Sequence, residues 1–266
     1  MSAARAGSAD GAKLAVRDLR VSFGPRVVVD LSSLELGRGE VFGLAGESGS
    51  GKSMTATAIA GLAETVGARV SGSILLDGED LRTLSEEDLR AVRGRRIAMI
   101  FQSPISAMNP VFRVGDVFSR ALRLHGASRE EARDRAERAM AEVLLAPELL
   151  ERYPHELSGG QAQRVAIALA LALRSEVVLA DEPTSALDVT VQAEILELLR
   201  RLRREHEMSV LFISHDLAVM SELCDRVAVM RAGRLVEVGV TEEVLASPQD
   251  EYTRELLAAV PEIRAR

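Results

Sequence analysis

The stretch GESGSGKS, residues 46–53, constrains the fold of this sequence more than any other feature. It follows a short apolar run, VFGLA at 41–45, and precedes a stretch that predicts a helix from Ser53 to about Leu62. A buried strand, a glycine-rich turn and a helix in this order form a phosphate-binding loop, or P-loop. Its glycines let the backbone curl so that successive amides point at phosphate oxygens.

The P-loop predicts a nucleotide site. Lys52 would add a positive charge for the β- and γ-phosphates, and the Ser53 hydroxyl would be a ligand of Mg²⁺. The alternative is a glycine-rich turn that matches by chance, which the strand before it and the helix after it disfavour. The residues expected to contact the nucleotide are Gly46, Ser48, Gly49, Ser50, Gly51, Lys52, Ser53 and Met54.

Two acids follow a second apolar run, VVLADE at 177–182. An acid at the end of a buried strand beside a P-loop would place Asp181 where Mg²⁺ needs an oxygen ligand. Glu182, one position later, would polarise the attacking water as a general base. A solvated pair of acids at a strand end is the alternative interpretation.

Gln102 and His215 each come at the end of an apolar strand-like run, IAMIFQ at 97–102 and SVLFISHD at 209–216. Ligand sites of parallel sheets lie at the carboxyl ends of the strands. Gln102 is therefore expected to sense the metal and the water, and His215 to donate to the γ-phosphate. A lone histidine with a purely structural role remains the alternative for His215.

Strand-like runs alternate with helix-like runs along the chain, which predicts an α/β fold with a mostly parallel sheet. Two alternating runs, 13–23 and 27–36, add an N-terminal antiparallel β layer. The predicted division is a disordered tail at 1–12, a nucleotide-binding core at 13–102 and 158–245, a helical subdomain inserted at 103–157, and a short C-terminal segment at 246–266.

The helical insert contains one strongly patterned helix, SREEARDRAERAMAEVLL at 128–145. Ser128 and Glu131 have the spacing of a capping box. Charge spacing predicts ion pairs from Glu131 to Arg135 and from Asp134 to Arg138. The apolar face is predicted to consist of Ala132, Ala136, Met140, Val143 and Leu144.

Composition excludes several classes of protein. A net charge of −7, 3% aromatic residues and no long Lys/Arg block argue against a nucleic-acid partner. Cys224 is the only cysteine, so an intrachain disulfide and a cysteine-ligated cluster are excluded, which fits the cytosol. The first residues lack the pattern of a signal peptide, and no apolar run approaches the roughly 18 residues of a membrane span.

The order of the motifs resembles the ATP-binding-cassette (ABC) family over nearly the whole chain, from about Leu14 to Pro261. The matching elements are the P-loop, Gln102 after MIF, LSGGQ at 157–161, LADEP at 179–183, SALD at 185–188 and ISHD at 213–216. The resemblance implies a P-loop NTPase core of the RecA-like type, with ATP and Mg²⁺ as cofactors and ATP hydrolysis as the reaction.

The resemblance also implies a head-to-tail pair of such domains. Ser158, Gly159, Gly160 and Gln161 of one chain would close over the γ-phosphate held by the P-loop of the other, since a helix N-terminus with free amides attracts anions. Asp188 would lie at the seam of the pair. Phe23, in VSFG, is placed like the aromatic residue that stacks on adenine in the family, although a plain core phenylalanine is the alternative.

Longer stretches, such as RRIAMIFQSPISAMNPVFRVGD at 95–116 and SPQDEYTRELLAAVPE at 247–262, resemble the ATPase subunits of peptide/nickel importers. The implied partners are two transmembrane permease subunits, a second ATPase subunit (a sister chain or a second copy) and an extracytoplasmic solute-binding protein. The implied location is the cytoplasmic face of the cell membrane, with 103–115 as the surface that docks to the permease.

Two departures from that group bear on the solute. First, GGQAQRV at 159–165 differs from the same motif in that group, which carries an arginine. Second, the chain stops soon after AAVPE, where many peptide importers continue. The second departure shifts the expectation modestly toward a nickel or metal-chelate importer. The alternatives are a non-transport ABC ATPase in DNA repair, chromosome organisation or translation, an exporter subunit, and an unrelated P-loop kinase or GTPase, which would leave LSGGQ unexplained.

Overall fold

A computed structural model describes residues 11–259. Most of the predicted tail and the last seven positions of the predicted C-terminal segment lie outside the described residues. The strands are β1 (Ala12–Phe23), β2 (Arg26–Gly37), β3 (Val41–Ala45), β4 (Arg69–Leu76), β5 (Glu79–Asp80), β6 (Ile97–Ile100), β7 (Val177–Asp181), β8 (Ser209–Ile213), β9 (Arg226–Arg231) and β10 (Arg234–Val240). The helices are α1 (Lys52–Ile59), α2 (Glu86–Val92), α3 (Pro104–Ala107), α4 (Val114–Leu124), α5 (Arg129–Glu142), α6 (Gly159–Leu173), α7 (Val189–His206), α8 (Leu217–Leu223), α9 (Thr241–Ala246) and α10 (Glu251–Ala258).

The strands form two sheets. The larger sheet has the order β10-β9-β3-β8-β7-β6, and its pairs are parallel except for the antiparallel pair of β9 and β10. The smaller sheet, β2-β1-β4-β5, is antiparallel throughout. The predicted fold class, a mostly parallel α/β core with an N-terminal antiparallel layer, is confirmed.

The larger sheet separates two hydrophobic clusters. Every residue of β3, β7 and β8 is buried, as expected for central parallel strands covered on both faces. Successive residues of β7 alternate between the clusters: Val178 and Ala180 pack with the helices, whereas Val177 and Leu179 pack with the antiparallel sheet. This two-sided burial fixes the register of β7 and therefore the position of the acids at its end.

Residues 103–157 contain α3, α4, α5 and two short 3₁₀ turns. Helices α4 and α5 pack on each other and on α6, and the fully buried Phe118 of α4 belongs to the cluster shared with the core. The boundaries of a separate subdomain stay a prediction. The predicted capping box of α5 is confirmed, because the Ser128 hydroxyl accepts from the Glu131 amide and the Glu131 carboxylate accepts from the Ser128 amide.

Two predictions about α5 were wrong. Leu144 does not join the apolar face: α5 ends at Glu142, and Leu144 has φ +60° and a relative exposure of 70%. Ala139 is buried instead. The ion pair on this helix joins Arg133 to Glu137 at 2.9 Å, and neither predicted pair forms within the described residues.

Helix α1 also ends earlier than predicted. Its last residue is Ile59 instead of Leu62, because Gly61 adopts a left-handed conformation with φ +67° that cannot continue a helix.

Candidate functional site

The P-loop connects β3 to α1 at the carboxyl edge of the larger sheet. Lys52, the first residue of α1, is 4% exposed, and its Nζ donates to the carbonyl oxygens of Gly46 at 2.7 Å and Glu47 at 2.8 Å. Burial lowers the pKa of Lys52, whereas the carboxylates of Glu182 and Asp181 oppose that shift. The loop thus holds an ammonium group in a largely desolvated position, where it interacts strongly with an anion.

Glycine is required at the start of the loop. Gly46 has φ +146°, and a Cβ atom there would lie 2.2 Å from the carbonyl oxygen of Met230 on β9. The close approach of two backbones therefore explains this position of the motif.

The magnesium prediction rests on two oxygen atoms that the structure brings together. The Ser53 hydroxyl donates to Asp181 Oδ1 at 2.8 Å, which joins α1 to the end of β7. Burial raises the pKa of Asp181, and the hydrogen bond from Ser53 opposes this shift. Mg²⁺ prefers a few hard oxygen ligands and retains water molecules, so this pair fits the ion. Gln102, the third predicted ligand, forms no hydrogen bond with either residue.

The P-loop also fits a phosphate group. The Ser50 hydroxyl is buried and has no hydrogen-bond partner within residues 11–259. A Cβ added at Gly49 would meet nothing within 4 Å, so that side of the loop is open. An open glycine turn, an unpaired buried hydroxyl and a buried ammonium are complementary to phosphate oxygens.

Glu182 contacts both polar residues that were predicted at the ends of the neighbouring strands. Gln102 Nε2 donates to Glu182 Oε2 at 3.2 Å, and His215 Nδ1 lies 3.2 Å from Glu182 Oε1. The side chain of Glu182 is 16% exposed, and its backbone has φ +45°, a costly conformation for a residue with a Cβ. A strained residue held by two partners is typical of a functional position.

Sequence reasoning missed Ser185 in this group. Its hydroxyl accepts from Gln102 Nε2 at 3.2 Å and donates to the backbone oxygen of Glu182 at 3.1 Å. Ser185 is the first residue of SALD, so the motif itself contained the signal. The roles of Glu182, Gln102 and His215 in a reaction stay predictions.

The predicted second half-site begins α6. Ser158 caps this helix: its hydroxyl accepts from the Gln161 amide at 3.2 Å, and Gln161 Oε1 accepts from the Ser158 amide at 3.0 Å. The amides of Gly159 and Gly160 lie in the first turn, where no intrahelical partner exists. The helix start therefore offers free donors to an anion.

This helix start packs against SALD instead of the P-loop. A Cβ at Gly159 would lie 3.4 Å from Leu187, and one at Gly160 would lie 2.6 Å from Val191. Asp188 caps α7 by accepting from the Val191 amide at 3.0 Å. Within the described chain, no hydrogen bond or ion pair joins residues 158–161 to residues 46–53.

Phe23 and Met54 are half-buried and pack against the cluster between the two sheets. The stacking of Phe23 on adenine stays a prediction, as does a contact of Met54 with the nucleotide.

A cleft of about 1140 Å³ lies at the opposite edge of the larger sheet, where β8 begins at Ser209. Its lining is rich in basic side chains, among them Arg135, Arg138, Arg174 and Arg204, and includes none of the predicted site residues. Because ligands of parallel sheets bind at the carboxyl edge, the candidate nucleotide site is the open surface formed by the P-loop.

Comparisons of the sequence and of the fold with known proteins each found similar proteins. A sequence model of the family described as ABC transporter matches residues 29–185. The peptidoglycan transport ATP-binding protein YejF of Agrobacterium fabrum is 52% identical over 93% of the chain and 47% of that relative. The glutathione import ATP-binding protein GsiA of Escherichia coli K12 is 47% identical over 96% of the chain and 43% of that relative. The chain thus spans less than half the length of these relatives.

Two solved structures are similar in fold. One is a dimeric post-hydrolysis state of the ATP-binding cassette MJ0796 bound to ADP and Pi, with a TM-score of 0.75, 27% identity and coverage of 86% of this chain and 98% of that one. The other is cbiO1 from Clostridium perfringens, part of the ABC transporter complex cbiONQ, with a TM-score of 0.76, 28% identity and coverage of 95% and 97%.

Proposed function

Because this chain belongs to the ABC transporter family, we propose that it is the subunit that binds and hydrolyses ATP in an importer for peptide-like solutes. The observation that carries the proposal is the convergence of three strand ends. Asp181 bonded to Ser53, and Glu182 held by Gln102 and His215, lie beside a buried P-loop lysine.

The residues divide the reaction among them. The P-loop amides and Lys52 bind the phosphates. Ser53 and Asp181 would hold Mg²⁺, which would supply positive charge against the charge that develops on the phosphate oxygens. Glu182 accepts a hydrogen bond from the attacking water and polarises it. Gln102 and His215 fix the orientation of the Glu182 carboxylate, and in the complex Gln102 would interact with the metal and the water and His215 would donate to the γ-phosphate.

The site is completed by a second ATPase subunit. The free amides of Gly159 and Gly160 suit an anion, and no hydrogen bond or ion pair among residues 11–259 joins them to the P-loop of the same chain. A head-to-tail pair would bring them to the phosphates of the opposite chain, with Asp188 at the seam. A solved neighbour of similar fold, MJ0796, is dimeric in its ADP- and Pi-bound state.

The solute class follows from the relatives. Their names specify peptidoglycan transport and glutathione import, and glutathione is a tripeptide. These names favour a peptide-like solute over nickel, and they favour a transporter over an ABC ATPase of DNA repair or translation. The permease subunits, the solute-binding protein and the location at the cytoplasmic face of the membrane belong to the same proposal. Within residues 11–259, no helix is long and apolar enough to cross a membrane.

The test is the solution mass and ATP turnover of the wild-type chain and of Glu182→Gln. The amide of glutamine is a far weaker base, so turnover is expected to fall about 10²- to 10⁴-fold while ATP still binds. A trapped head-to-tail pair would double the mass of Glu182→Gln with ATP and Mg²⁺. Turnover at the wild-type rate would refute the role of Glu182, and a wild-type chain that binds no ATP would refute the function.

A further inference from the structure

Helix α10 contacts the P-loop through the side chain of Tyr252. Tyr252 is 3% exposed, and its hydroxyl oxygen accepts a hydrogen bond from the backbone amide of Glu47 at 3.1 Å. Glu47 is the second residue of GESGSGKS, so the contact joins positions 205 residues apart in the sequence.

The contacted peptide unit is one of the two that hold the P-loop lysine. The amide of Glu47 and the carbonyl of Gly46 belong to one planar peptide group. The carbonyl oxygen of Gly46 accepts from Lys52 Nζ at 2.7 Å. Since the group is rigid, the hydrogen bond to Tyr252 also sets the direction of the oxygen that positions the Lys52 ammonium.

Tyr252 is itself firmly placed. The guanidinium of Arg231 lies 4.6 Å from the centre of its ring. The first turn of α10 is fixed because Asp250 accepts from the Tyr252 amide at 2.9 Å, and Glu237 on β10 accepts from the Asp250 amide at 3.1 Å. Burial raises the pKa of the Tyr252 hydroxyl, which therefore stays protonated at neutral pH. The P-loop is thus held by a C-terminal helix whose first turn is fixed by its own hydrogen bonds.

We propose that Tyr252 is a positioning residue of the P-loop, which sets the geometry of Lys52 and thereby the affinity for the polyphosphate chain of a nucleotide. The proposal rests on the proposed function, because it assumes that the P-loop binds ATP. It extends the site to α10, in the predicted short C-terminal segment at 246–266.

The variant Tyr252→Phe removes the hydroxyl and keeps the ring, its packing and its contact with Arg231. The Glu47 amide then loses its acceptor, and the peptide group can rotate. The expected result is about threefold to tenfold weaker binding of ATP and ADP, the range that one hydrogen bond supplies. The kcat for ATP is expected to change less than twofold, because Glu182 and its partners are untouched, so the loss appears in KM.

Thr253→Val is the matched control. Thr253 follows Tyr252 on the same helix and is fully buried, and its hydroxyl has no hydrogen-bond partner among the described residues. Removal of this hydroxyl is expected to leave nucleotide affinity within twofold of the wild type. Affinities are measured on the full chain by titration with a fluorescent ATP analogue and Mg²⁺, and folding is checked by thermal unfolding.

A double-mutant cycle with Lys52→Met tests the route of the effect. If Tyr252 acts through Lys52, the loss caused by Tyr252→Phe shrinks to less than twofold when the ammonium is absent. An equal loss in both backgrounds, an equal loss in Thr253→Val, or unchanged binding by Tyr252→Phe would each overturn the inference. A wild-type chain that binds no nucleotide overturns the proposed function and the inference together.

A second variant tests the inference if Tyr252→Phe does not fold. Arg231 is exposed, and Arg231→Gln removes the cation above the ring without a change in the core. The expected result is a smaller loss of nucleotide affinity, about twofold, again in KM. If Tyr252→Phe does not fold, binding by Arg231→Gln equal to that of the wild type overturns the inference.

Discussion

The contact between the start of α6 and α7 makes a quantitative prediction about Gly160. Gly160 is helical and does not have positive φ, so its lack of a side chain serves a steric purpose. A Cβ there would lie 2.6 Å from Val191 Cγ1, whereas carbon atoms in contact are separated by about 3.5–4.0 Å. The variant Gly160→Ala must therefore displace the Val191 side chain or one of the two helices by nearly 1 Å.

The magnitude follows from two opposed contributions. Overpacking of this kind destabilises a protein by about 1–3 kcal/mol. Alanine favours a helix over glycine by up to about 1 kcal/mol, and by less in the first turn. We expect a net loss of about 1–2 kcal/mol in the free energy of unfolding, or about 2–6 °C in Tm.

Val191→Ala supplies the decisive background, because it removes the atom that clashes. In that background Gly160→Ala is expected to be neutral or slightly stabilising, with a coupling energy of about 1–3 kcal/mol. The control is Gly159→Ala, whose Cβ would lie an ordinary 3.4 Å from Leu187 and which should change stability by less than about 0.5 kcal/mol. Thermal and urea unfolding of the five proteins measures these quantities. Equal stabilities of Gly160→Ala and Gly159→Ala would refute the steric argument. So would a loss of stability from Gly160→Ala that is unchanged in the Val191→Ala background.

Three further predictions concern single residues. Because burial raises the pKa of Asp181, the folded chain loses stability as pH rises from about 4 through that raised pKa. Without nucleotide, Asp181→Asn should therefore have a higher Tm than the wild type at pH 7 and the same Tm below about pH 4. A lower Tm of Asp181→Asn at pH 7 would contradict this. Leu144→Gly should raise the free energy of unfolding by about 0.5–1 kcal/mol, as measured by thermal unfolding, because glycine tolerates the left-handed conformation. Leu144→Ala should leave the free energy of unfolding unchanged. His215→Ala should lower ATP turnover at least tenfold with the Kd for ATP within twofold, and an unaffected rate would remove His215 from the site.

The sequence predicts the positions of site residues best where a polar residue stands at the end of an apolar strand. Asp181 ends an apolar strand, and Gln102 and His215 each come two residues after one, so the parallel sheet brings them to one edge. The P-loop is contiguous, and its local pattern is sufficient to place Lys52 and Ser53.

The features that were missed depend on tertiary structure. The bond between Tyr252 and Glu47 spans almost the whole chain, and no local pattern indicates it. Leu144 fits a helical apolar face by spacing, but α5 stops two residues earlier, where a left-handed turn returns the Leu145 amide to the Met140 carbonyl at 2.9 Å. The predicted ion pairs of α5 were wrong because flexible exposed side chains have several possible partners of similar energy.

The position of β3 has a consequence for the order in which the chain assembles during translation. β3 lies between β8 and β9, so Val41 pairs with Val210 and Phe42 with Arg226. The antiparallel sheet is complete once residue 80 has been synthesised. At about 5–20 residues per second, the apolar strand that carries the P-loop then waits roughly 7–30 s for its partners. The nascent chain therefore exposes an unpaired hydrophobic edge, a target for chaperones, until the ribosome has made the opposite end of the domain.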